Sequence, residues 1–151
     1  MSDLPAIPEG TLNRCPECNN CIPVELADSP KDFSCPHCHK LLWFVWRRAG
    51  DVVVLTFLPG LLSGSESIER RGELAPVIGD ATGVLVNLTH MEFISSVFLG
   101  MLAGLSRRVR MRNASLKIFG VRAVNAEVFK TTRLDQILTF CADEQSALSS
   151  F

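Results

Sequence analysis

The sequence predicts a mixed α/β sheet with helices packed on it, preceded by a small four-cysteine metal module. Three observations lead there. Five of the six cysteines fall between Cys15 and Cys38. From residue 41 onward, strand-like runs alternate with segments of helical spacing. The charge divides at the same place, with three basic and six acidic side chains in residues 1–40 against twelve and ten in residues 41–151. We therefore expect a metal-binding unit at 1–40 and a larger domain at 41–151.

The whole chain has 151 residues, of which 47% are hydrophobic and 21% charged, a globular composition. Its net charge of -1 removes the usual basis for non-specific binding to DNA or to an acidic membrane surface. The apolar run Leu41-Leu42-Trp43-Phe44-Val45-Trp46 is far shorter than the roughly 18–20 residues of a membrane-spanning helix. The first residues, MSDLPAIPEG, show no basic start and no apolar stretch of the kind a secretory signal has. A cytoplasmic location is the expectation.

In a reducing compartment, clustered cysteines read as metal ligands rather than disulfides. The pattern is Cys15-Pro16-Glu17-Cys18 and then Cys35-Pro36-His37-Cys38. A two-residue gap lets the chain turn tightly with both thiolates facing one point, and proline after the first cysteine presets φ for that turn. Asn19 and His39 follow the two pairs and tolerate the left-handed backbone such a knuckle needs. Two knuckles supply four sulfurs to one tetrahedral ion, and this spacing points to zinc. A closed shell of four thiolates makes the metal structural rather than hydrolytic. About 40 residues cannot bury an adequate core, so the metal must hold this unit together. Cys21, three residues after Cys18, leaves a Cys18-Cys21 first knuckle open, although Cys15-Cys18 shares the Cys-Pro-x-Cys frame of the second. His37 and His39 are expected outside the ligand set.

In the larger domain, residues 41–48 and 52–58 are aromatic and β-branched, and Ala49-Gly50-Asp51 turns between them as a hairpin. Residues 65–78 form an imperfect amphipathic helix, with Gly72 inside it. Residues 83–88 read as a buried strand. A long helix over 97–112 follows, opened by Ser95-Ser96, with Phe98, Met101, Leu102, Leu105 and Val109 on one face. Serine suits the helix start, and Arg107, Arg108, Arg110 and Arg112 suit its negative end. A strand at 115–119, a short helix at 125–131 and a last strand at 137–140 complete the alternation. Cys141 reads as a small buried hydrophobe. No paired-carboxylate or nucleophile–base spacing stands out, so no enzyme is expected.

Residues 1–40 resemble the zinc ribbons that precede many bacterial regulatory proteins. Residues 41–140 resemble a STAS domain, the fold of anti-sigma-factor antagonists. The matching pieces are Val52-Val53-Val54-Leu55-Thr56-Phe57-Leu58-Pro59-Gly60, Val84-Leu85-Val86-Asn87-Leu88 and Met91-Glu92-Phe93-Ile94-Ser95-Ser96. Ser115-Leu116-Lys117-Ile118-Phe119-Gly120-Val121 and Thr132-Arg133-Leu134-Asp135 follow in the same order.

The resemblance implies a partner: a serine-kinase anti-sigma factor that phosphorylates the first serine of an Asp-Ser-Ser-Gly-type motif. That serine aligns with Ser95, with Ser96 beside it, and the docking surface would include Ile94, Ser95, Ser96, Val97 and Phe98. Here Ile94 stands in place of the aspartate, Val97 in place of the glycine, and Gly60-Leu61-Leu62-Ser63 lacks the acidic residue of a Gly-x-x-Asp. Two other readings accompany this one. In the first, Ser95 and Ser96 only cap a helix and the domain is an unmodified protein-binding scaffold. In the second, the ribbon binds nucleic acid, which its net charge of -3 disfavours.

Overall fold

The computed structural model describes residues 13–22, 34–40, 42–58, 74–91 and 94–151. Among these residues, seven strands form one sheet: β1 (Asn13–Arg14), β2 (Cys21–Ile22), β3 (Phe44–Ala49), β4 (Val52–Phe57), β5 (Gly83–Asn87), β6 (Ser115–Phe119) and β7 (Thr139–Phe140). Their order across it is β2-β1-β3-β4-β5-β6-β7. Among the described residues, four helices are α1 (Leu74–Ile78), α2 (Ser96–Met111), α3 (Ala123–Thr131) and α4 (Glu144–Ser149). β3 and β4 pair antiparallel, whereas β4, β5, β6 and β7 run parallel, so the sheet is mixed.

Local chemistry explains the elements. Gly50 turns the β3–β4 hairpin at φ +65, where a side chain would be strained. All six residues of β4 are buried, as a central strand covered on both faces requires. Val53, Leu55 and Phe57 face forward with Val84, Val86, Leu116 and Ile118, against Phe98, Leu102 and Leu105 of α2. Phe57 and Phe98 meet edge-on at 5.0 Å. The five apolar positions predicted for α2 are all buried. The helix stops where Asn113 turns left-handed at φ 62, a conformation asparagine accepts.

The back face is covered differently. Val52, Val54, Leu85 and Phe119 pack on Ala147 of α4, a helix the sequence did not predict. Asp143 caps α4 by accepting the Ser146 N–H at 2.8 Å. Arg47 pairs with Glu144, and the Lys117 ammonium donates to the Ser150 carbonyl at 2.6 Å while lying over the Phe151 ring.

Several boundaries differ from expectation. The first hairpin strand starts at Phe44, after the buried Leu42 and Trp43, and residue 41 lies outside the described residues. α3 starts at Ala123, two residues early, and the final strand is reduced to Thr139–Phe140 after a 3-10 turn at Leu134–Gln136. Of the helix expected at 65–78, residues 65–73 lie outside the described residues, as do Pro59 and residues 60–63, and Leu74–Ile78 is helical. The sheet also runs across residue 40. Arg14 of β1 is registered against Trp46 of β3, and Cys15, Ile22 and Cys35 share a buried cluster with Leu42, Val45 and Leu58.

Candidate functional site

The two cysteine pairs fold as near copies of one knuckle. In the first, Asn19 N–H donates to the Cys15 carbonyl at 2.9 Å and Cys15 N–H to the Asn20 carbonyl at 3.0 Å. In the second, His39 N–H donates to the Cys35 carbonyl at 2.8 Å and Cys35 N–H to the Lys40 carbonyl at 3.0 Å. Asn19 and His39 sit at φ 63 and 64, the left-handed positions their residue types suggested. Backbone N–H groups of Glu17 and Cys18 point at the Cys15 sulfur, and those of His37 and Cys38 at the Cys35 sulfur, at 3.3–3.5 Å. Such donors stabilise thiolate charge.

The four sulfurs of Cys15, Cys18, Cys35 and Cys38 lie within 4.8 Å of one another. Across the knuckles, Cys15 to Cys38 is 3.7 Å and Cys18 to Cys35 is 3.6 Å. A tetrahedral ion with metal–sulfur bonds of about 2.3 Å needs sulfurs about 3.8 Å apart, so the set fits a four-thiolate metal site. Burial pushes the Cys15 thiol up to about 12. The backbone N–H of Asn20 draws the Cys18 thiol down to about 6. Cys21 stands exposed on β2, outside the group, with its carbonyl 3.3 Å from the His37 ring.

The serine site lies at the start of α2. Ser95 is the N-cap, extended at φ −80 and ψ 163, and its Oγ accepts the Phe98 N–H at 3.1 Å. Its own carbonyl accepts from Leu99 N–H at 3.0 Å. Ser95 is half-buried, Ser96 exposed and Val97 half-buried, so a patch of three residues reaches solvent. Ile94 and Phe98, expected on that patch, are 2% and 0% exposed and belong to the front core. Both pack in the core beneath the helix start, so they support the site from below.

Residues that sequence reasoning missed hold the loop leading to Ser95. Asn125, 1% exposed, donates from Nδ2 to the Met91 carbonyl at 2.8 Å. Arg122 Nε donates to the Thr89 carbonyl at 3.0 Å. Gly120, at φ +79, packs so tightly on Thr89 that a Cβ would lie 2.8 Å from its backbone nitrogen. A lone asparagine or arginine at a helix start carries no periodic signal, so none of these stood out.

Among the described residues no helix is long and apolar enough to cross a membrane. The sequence pattern of the STAS domain matches residues 46–147. The fold resembles three solved proteins in particular. The NMR structure of the protein TM1081 has a TM-score of 0.61 at 16% identity, covering 77% of this chain and 93% of that one. RsbS of Moorella thermoacetica, in a serine-to-glutamate variant, has a TM-score of 0.60 at 17% identity, covering 69% and 92%. The anti-sigma factor antagonist SpoIIAA in its unphosphorylated form has a TM-score of 0.60 at 19% identity, covering 71% and 94%. No curated protein matches the sequence.

Proposed function

Because the chain belongs to the STAS domain family, we propose that it is a cytoplasmic, non-enzymatic regulator that binds a serine-kinase anti-sigma factor and is switched by phosphorylation at Ser95. The observation that carries this reading is Ser95: half-buried, at the N-terminus of α2, the longest helix among the described residues, beside exposed Ser96. It gains support from a fold shared with an anti-sigma factor antagonist solved in unphosphorylated and phosphorylated forms.

In the unmodified state Ser95, Ser96 and Val97 form the docking patch. Transfer of a phosphoryl group to the Ser95 oxygen adds about -1.5 to -2 charges there. The first-turn N–H groups and the positive end of α2 stabilise that charge within the chain, so the fold holds still. The partner meets a dianion where it had met a hydroxyl, and leaves.

Residues 1–40 serve in this reading as a module with one structural zinc ion, held by Cys15, Cys18, Cys35 and Cys38, and residues 41–151 as the regulatory domain. Since β1 pairs with β3, the module acts as a brace or docking extension of the sheet rather than a free arm.

The test incubates the chain with a serine-kinase anti-sigma factor from the same host, and ATP, and follows intact mass. We expect one phosphate on the native protein and on Ser96→Ala, and none on Ser95→Ala. Binding without any phosphate at Ser95 would leave the unmodified scaffold as the function.

A further inference from the structure

Beyond the Ser95 surface, we infer that the far end of α2 carries a small-molecule site for an apolar carboxylate. A cavity of about 150 Å³ opens between α1 and the last turns of α2. Leu74, Ile78, Leu105 and Val109 form its floor, and each is at most 4% exposed. Arg108 and Arg112 stand at its rim. The site therefore joins an apolar slot to two guanidinium groups.

The two arginines are four residues apart, so they lie on one helix face, where like charges repel. Among the described residues, neither guanidinium has an ion pair or a hydrogen bond, the two ion pairs there being Arg47–Glu144 and Arg48–Asp80. A carboxylate placed between them accepts from both forks and removes that repulsion. The volume sets the rest of the ligand, since a cavity of about 150 Å³ holds a benzene-sized group. A short alkyl or aryl carboxylate meets both demands, with its tail over Leu105 and Val109 and its head at the rim. Arginine at a helix C-terminus also complements the helix dipole. That role needs no slot beneath the guanidinium groups, and it predicts no response to such a ligand.

The test titrates the full chain with hexanoate and with benzoate while recording methyl NMR signals, using hexan-1-ol and benzyl alcohol as uncharged partners. We expect saturable shifts centred on Leu74, Ile78, Leu105 and Val109, reached in the low-millimolar range or below. Each alcohol should bind about tenfold more weakly, because it lacks the charge-assisted contacts. Arg108→Gln and Arg112→Gln together should bring the acids down to the level of the alcohols, with the native circular dichroism spectrum retained. The proposal is overturned if no methyl shift saturates below about 10 mM, if acid and alcohol bind alike, or if the double variant binds as well as the native chain.

Discussion

The Oγ of Ser95 already accepts a hydrogen bond from Phe98 N–H, so two consequences of changing it must be separated. Loss of the cap in Ser95→Ala should cost about 1 kcal/mol of stability, measured by urea unfolding. Aspartate caps as well as serine, so Ser95→Asp should keep that stability. If the residue is only a cap, Ser95→Asp binds partners as the native chain does. If it is a switch, the added carboxylate weakens docking while the fold remains intact. At the zinc site proposed for the four cysteines the sign of the pH effect follows from the thiols. Thiolates, not thiols, bind metal, and Cys15 is raised to about 12 by burial while Cys18 is lowered to about 6 by the Asn20 N–H. Zinc binding at pH 7 should therefore release protons, and affinity should fall as pH drops through 6. Calorimetry in two buffers of different ionisation enthalpy measures the release, and a buffer-independent heat would contradict it.

Elements differ in how plainly the sequence announces them, and the reason is the number of buried positions each presents. α2 has five periodic apolar residues, all buried, and β4 is buried throughout, so both are legible from spacing. α4 buries only Ala147 among its six residues, which leaves no period to detect. Its contribution is nonetheless large, because Ala147 is fully buried against Val52, Val54 and Leu85. Ala147→Asp places an unpaired charge there and should cost about 3 kcal/mol or more, seen as an earlier urea midpoint. The turn at Gly120 is equally exacting. Alanine there is strained by φ +79 and collides with Thr89, so Gly120→Ala should destabilise the chain by about 1–3 kcal/mol and perturb amide signals of the loop leading to Ser95.

At the scale of the whole molecule, the cysteine spacing, the alternation of strands with helices and the position of Ser95 at a helix start were all readable from residue types. The junction between the two parts was not. β1 and β2 are two residues long, too short to show the alternation that marks a strand, so the ribbon read as a separate unit. The shared ladder and the cluster of Cys15, Ile22, Cys35, Leu42, Val45 and Leu58 tie it to the sheet. Removing the zinc proposed for the four cysteines should therefore do more than unfold the ribbon. Chelation, or Cys35→Ser with Cys38→Ser, should lower the unfolding temperature of the whole domain and speed hydrogen exchange in β3, and an unchanged β3 would mean the two parts are energetically independent.

The affinity of the chain for the proposed partner, a serine-kinase anti-sigma factor, compared by calorimetry before and after phosphorylation at residue 95, bears most directly on the account. We predict at least a hundredfold weakening on phosphorylation with an unaltered circular dichroism spectrum. Equal affinities for the two forms would contradict it.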